Sequence, residues 1–399
     1  MSSADNTAPG RRNDAARWGM VAAGTALIGT CYGFARFAYG LFAPELRADF
    51  AISSTVSGVI GAGSYVGYCV AIVVSLVLTE RFGARRLAVG AGVMATVGTA
   101  TLALAPSPYV LAAGVLIAGS STGLASPPMA AAVSRWIRVE VQDRAQTIVN
   151  AGTGIGVLVS GPVALVLLDQ WRWAWGLFSI LAIAVTVWVW VTVPPATAEL
   201  LARSPDTATD SPRRRYIPGT AAMVLAALLM GASSVAVWTF GRELVTTVGG
   251  ASSLVSTSMW TVLGAAGVVG ALGGDLAAHV GLARSWTAAM AVMAAATVLL
   301  ALLPGNPAAV FVAAAVFGAS YIILTAVVLL WSTRLYPARA AAGVGLGFLT
   351  IALGQAIGAP LAGLLTDVTG ATAAFLTCAG LGLLGSLVRP GRSVPATSG

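Results

Sequence analysis

The chain has 399 residues, of which 57% are hydrophobic and 9% charged, with a formal charge of +8 and a mean hydropathy of +0.87. Soluble domains carry about 25% charged residues, so this composition excludes a water-facing globule and makes lipid part of the solvent. All 22 basic residues are arginine, and their placement along the chain excludes nucleic acid as the partner.

A helix needs about 20 apolar residues to cross about 30 Å of hydrocarbon. Residues 1–17 read as a polar tail carrying Arg11, Arg12 and Arg17. The apolar run after it is too long for a signal peptide and contains Arg36, so it is expected to remain as the first span. Spans are expected at 18–41, 53–79, 87–106, 108–133, 145–168 and 173–193, forming an N-terminal bundle over 18–193. Residues 194–217, rich in proline and arginine, read as a linker. A C-terminal bundle over 218–388 holds spans at 218–240, 253–277, 285–303, 307–331, 341–366 and 370–388, and 389–399 is a second tail.

Arginine placement fixes an orientation. With the N-terminus in the cytoplasm, eighteen arginines fall on inner segments. Three (Arg47, Arg172 and Arg242) fall on outer loops, and Arg36 lies inside a span. That asymmetry follows the positive-inside rule and places both termini in the cytoplasm. The basic charge then faces the anionic inner leaflet.

The two halves align at an offset of 198 residues. Phe42, Glu45 and Leu46 meet Phe240, Glu243 and Leu244; Gly83 meets Gly281; Gly156, Pro162 and Asp169 meet Gly354, Pro360 and Asp367. Parallel six-helix repeats place a binding site at their interface, near the bilayer midplane.

Two segments carry a signature. Residues 76–86 read LVLTERFGARR, with Glu80, Arg81, Gly83, Arg85 and Arg86 joining the second and third spans. Residues 150–162 read NAGTGIGVLVSGP, with Gly152, Gly156 and Ser160 recurring every four residues before Pro162. They resemble the loop and antiporter-type fifth-helix motifs of the major facilitator superfamily, and the resemblance spans essentially the whole chain. It departs from the pattern at Leu76 and Ala84, and the second-half copy of the loop is degraded, its acid displaced to Asp275.

The resemblance implies an all-α membrane protein with twelve transmembrane helices in two pseudo-symmetric six-helix bundles. It further implies alternating access, a central cavity lined by helices 1, 4, 7 and 10, and proton coupling. Glu80, Arg81, Gly83, Arg85 and Asp275 would then form a conformational latch. Gly152, Gly156, Pro162, Gly354 and Pro360 are expected to pack helices closely, small residues at this period allowing close approach. Pro127 and Pro128 interrupt the hydrogen-bond ladder of the fourth span and mark either a gating bend or a static kink.

Arg36 is the residue that packing does not explain. An arginine at the centre of a span costs at least about 2.5 kcal/mol, less toward the interface. On a helix of residues 18–41 it would sit roughly 9 Å to the outer side of the middle. Tyr32 and Tyr39, at i−4 and i+3, are expected on its face. Such a site would bind a carboxylate through charge-assisted hydrogen bonds. The rival reading is snorkelling, or a pairing with Glu45. Ser120, Ser121 and Thr122 of the fourth span, Trp238, Tyr321 and Thr325 are further cavity candidates, and Tyr65, Tyr68, Asn150 and Gln355 could also face inward. Trp171, Trp173 and Trp175 read as aromatic-belt anchors at the outer interface.

No cofactor and no metal set is expected: the chain has one histidine, His279, and three scattered cysteines. The functional expectation is a monomeric secondary transporter of a small organic solute in the plasma membrane. Export is slightly favoured by the fifth-helix motif, with uptake of a small organic anion through Arg36 as the alternative. A membrane enzyme or a sensor would need clustered acids, a nucleophile with its base, or an output domain.

Overall fold

The computed structural model describes residues 8–195, 217–270, 280–336 and 340–391. Among these residues it is helical throughout, with no strand. Helix α1 is continuous through three segments: Ala8–Ile28, a π-helical Gly29–Phe37, and Ala38–Phe50. The N-terminal half continues with α2 (Ser54–Phe82), α3 (Ala84–Ala103), α4 (Pro108–Trp136), α5 (Val139–Leu167) and α6 (Trp171–Thr192). The C-terminal half holds α7 (Thr220–Thr247), α8 (Ser253–Gly270), α9 (Leu282–Leu302), α10 (Pro307–Leu335), α11 (Ala340–Thr369) and α12 (Ala371–Leu387). Eleven of these helices are long and apolar enough to cross a membrane, and α12 is a shorter apolar helix.

Lipid-facing surface is written as helical stripes. Val59, Val66, Val70, Val73 and Val77 are exposed along one face of α2, at the spacing of successive turns. The opposite face carries the buried Tyr65, Tyr68 and Ile72.

The repeat is visible in the backbone. Gly83 ends α2 with φ 82° and ψ 158°, and its mate Gly281 opens α9 with φ 92° and ψ 143°. Both sit where a side chain is strained and glycine is not. Within each half the first and fifth helices touch through glycine. A Cβ on Gly33 would lie 2.2 Å from the carbonyl carbon of Gly156, and one on Gly156 would lie 2.1 Å from the carbonyl oxygen of Gly29. In the second half, a Cβ on Gly231 would lie 2.0 Å from the Ile351 carbonyl oxygen, and one on Gly354 would lie 2.2 Å from that of Leu228. The halves meet along α2 with α11 and α5 with α8. Gly58 lies against Ala359 and Pro360, and Gly264 against Leu158.

Four sequence expectations shift. Helix α1 reaches Phe50 rather than residue 41, because Glu45 and Arg47 are carried on the helix instead of an outer loop. Arg36 therefore lies close to the middle of the Arg17–Phe50 span, not 9 Å outward of it. Arg242, placed in an outer loop by the arginine count, is likewise inside α7. Of the tryptophan trio, only Trp173 is exposed. Trp175 is fully buried, and Trp171 is buried with its indole N–H donating to Asp49 at 2.8 Å. A three-residue cluster on a helix cannot face lipid all round, and two of its rings fill the bundle.

Candidate functional site

The site forms where α1 changes its winding. The N–H of Ala38 donates to the Gly33 carbonyl, five residues back. This adds a residue to the turn, and such turns recur at functional sites. The wider turn keeps the i−4 residue, Tyr32, beside Arg36 but carries the i+3 residue off that face.

Arg36 is 6% exposed. Four rings surround its guanidinium carbon: Tyr68 at 4.7 Å, Tyr65 at 4.9 Å, Phe37 at 5.2 Å and Tyr32 at 5.6 Å. A desolvated cation over an aromatic face gains about 2 kcal/mol or more, the scale of the insertion cost. The rings therefore tolerate the charge without neutralising it. Its Nη2 donates to Gln355 Oε1 at 2.6 Å, across the halves. Its Nε is buried without a hydrogen-bond partner. Among the described ion pairs none involves Arg36.

Around this centre lies a polar second ring. Gln355 Nε2 donates to the Tyr321 hydroxyl at 3.3 Å and to Ser234 Oγ at 3.4 Å. The Tyr32 hydroxyl bonds Ser126 Oγ at 3.0 Å, and the Tyr65 hydroxyl lies 3.4 Å from Thr239 Oγ1. Trp238 stacks on Phe37 with centroids 4.0 Å apart and meets Tyr321 edge-on at 5.2 Å. Its indole N–H is buried and has no acceptor.

The structure thus brings Arg36, Tyr32, Tyr321 and Trp238 together. It does not bring Tyr39, whose hydroxyl donates to the Ser57 carbonyl at 2.8 Å and serves the contact between α1 and α2. Thr325 is half-buried, and its hydroxyl donates to Ile322 on its own helix. Phe37 was not expected, because an i+1 residue does not share a face on a regular α-helix. Ser126, Ser234 and Thr239 carried no signal, since small hydroxyl residues are common in apolar helices.

A second polar cluster closes the distal end of the bundle, opposite the chain termini and outer on the arginine reading. Glu45 of α1 pairs with Arg242 of α7, and Arg47 of α1 pairs with Glu243 of α7. Arg242 is 1% exposed and also donates to the Leu41 carbonyl at 2.7 Å and to Ser256 Oγ at 3.3 Å. The carboxylate of Asp367 in α11 accepts from the N–H of Ser54 at 3.1 Å and that of Thr55 at 2.7 Å, capping α2 from the other half. Glu45 is therefore held by Arg242, not by Arg36. Sequence reasoning missed this clamp, although Glu45 and Glu243 were already matched as repeat mates.

At the proximal end Gly83 makes the tight turn into α3, and Arg85 lies 4.2 Å over the Trp190 ring. Arg81 is exposed. The Glu80 side chain, Asp275, His279 and most of the 194–217 segment lie outside the described residues. Helix α4 runs unbroken through Pro127 and Pro128. Pro162 is exposed on α5, while Pro360 packs against Gly58.

Comparison with known proteins decides the family. The family described as "Uncharacterised MFS-type transporter YbfB" matches residues 28–388. The chain belongs to this major facilitator family of transporters. That makes it a transporter and not an enzyme, multi-pass in a membrane. It is 28% identical over 339 residues to the "Transcription regulatory protein OpdE" of Pseudomonas aeruginosa, covering 84% of each chain. Over 142 residues it is 27% identical to the "Gentisate transporter" of Corynebacterium glutamicum, 35% of this chain and 32% of that one. The crystal structure of a D-xylose-proton symporter shares the fold with a TM-score of 0.74 at 15% identity, over 96% of this chain and 98% of that one.

Proposed function

We propose that the chain is a secondary transporter that carries a small organic anion, its carboxylate held by Arg36 and its flat apolar body by the surrounding rings. The observation that carries this reading is a buried guanidinium whose partner is a neutral amide. A planar fork of donors matches a carboxylate bidentately, and Nε is still open to a second bond. The gentisate transporter, a relative over about a third of the chain, supports an aromatic carboxylate.

The cycle is alternating access. The crossed pairs between α1 and α7 hold the outer side shut and part when the site opens outward. A proton gradient, which the family resemblance implies, is the driving force assigned to the cycle. The antiporter-type motif of α5 favours export. The carrier works as a monomer in the plasma membrane with both termini in the cytoplasm.

A proteoliposome screen of small aromatic and aliphatic carboxylates against uncharged analogues, under imposed pH and substrate gradients, tests this. Counterflow of carboxylates with indifference to the analogues is the expected result. Preference for the uncharged compounds would remove the anion reading, and accumulation that survives collapse of the proton gradient would remove proton coupling.

A further inference from the structure

Gln355 is fully buried in α11, and its acceptor is committed. A guanidinium offers only donors, so the amide oxygen must face Arg36, and Nε2 is then left to Tyr321 and Ser234. Ser234 is the residue that the 198-residue offset pairs with Arg36. Gln355 thus ties two repeat-related positions, one in each half, at the middle of the molecule. Both of its donor contacts stay within the C-terminal half, and only its oxygen crosses to α1.

We propose that Gln355 is the positioning residue of the Arg36 site: its Oε1 holds the place of one substrate carboxylate oxygen and binds α1 to α11 in the empty carrier until an anion displaces it. This rests on the anion reading of Arg36. An amide oxygen satisfies one donor of the fork without removing its charge, so the arginine stays available. A carboxylate satisfies two donors and neutralises it. Binding therefore exchanges a bond between the halves for a bond to the cargo, and Gln355 keeps its contacts to Tyr321 and Ser234. The same residue sets selectivity, because a fixed acid here would compete permanently with an anionic substrate.

The test uses the purified full chain with gentisate as the probe, followed by binding, thermal unfolding and transport. In Gln355→Ala the internal competitor is gone. Its Kd for gentisate is expected to fall about tenfold, the scale of one hydrogen bond to a charged group, while turnover falls. In Gln355→Glu the ligand-free chain is expected to unfold at a higher temperature than wild type and to lose gentisate binding. A Kd in Gln355→Ala equal to or weaker than wild type overturns the proposal, as does a Gln355→Glu chain that binds gentisate as wild type does. Failure of the anion reading is distinguishable. If wild type ignores gentisate and benzoate, the substrate class is at fault. The ligand-free melting shift of Gln355→Glu still reports on the tie, a rise supporting it and no rise refuting it.

Discussion

Two polar clusters span the halves, and they are built on opposite principles. At the distal end each glutamate of the repeat has an arginine from the other half, and Asp367 caps a helix across the gap. At the centre one arginine stands among four rings with an amide for a partner. Charges that are fully paired inside a low-dielectric bundle hold a geometry and are costly to break singly. A charge that is sheltered but not neutralised is poised to take a counter-ion from outside. On the proposed function, the first cluster serves closure and the second recognition.

The largest expected effect breaks the central cluster. Arg36→Ala should lower carboxylate transport by about 100-fold or more, matching the loss of a charge-assisted bond of about 3 kcal/mol. Arg36→Lys should recover only part of it, because a point charge lacks the planar fork. Transport assays on protein shown to be folded check both, and unchanged kinetics would defeat the assignment.

Breaking the distal cluster should act on conformation instead. Glu45→Gln leaves Arg242 buried without its acid, a loss of about 3–5 kcal/mol, so the outward-open population should rise. Alkylation of a cysteine placed at Ser57, which is buried against Tyr39 of α1, would be faster. Exchanging the pair as Glu45→Arg with Arg242→Glu should restore slow labelling. If Glu45→Gln labels no faster than wild type, the clamp is not a gate. Glu243→Gln should act in the same direction but more weakly, since Arg47 is 23% exposed and can recruit water.

Smaller effects test the frame that both clusters share. Gly33→Ala forces α1 from α5, where the added carbon would meet the Gly156 backbone, and should cost about 1–3 kcal/mol of stability. Asp367→Asn keeps the shape of the α2 cap but loses the charge. It should cost on the order of 1 kcal/mol, with transport little changed. Thermal unfolding separates the two.

Much of this was legible in the sequence, and the failures have physical causes. Span number, the repeat and Arg36 follow from hydropathy, spacing and the cost of a charge in lipid. Tyr32 lies beside Arg36 and Tyr39 does not, for one reason: a π-helical turn preserves the i−4 neighbour and displaces i+3. No composition rule announces that turn. The distal clamp was missed because Arg47, Arg242 and Glu243 were counted as loop charges. Helices α1 and α7 run beyond their apolar stretches, since their terminal charges neutralise one another across the halves. Gln355 stood among the weaker candidates because a single polar residue on a long apolar helix does not reveal which helix it faces.

The central claim is that Arg36 reads negative charge. Its most direct test is a calorimetric titration of the purified chain with gentisate and with its uncharged methyl ester, in wild type and Arg36→Ala. Wild type should bind the acid far more tightly than the ester, and the variant should lose that preference while still melting cooperatively. Equal affinity of wild type for the acid and the ester would contradict it.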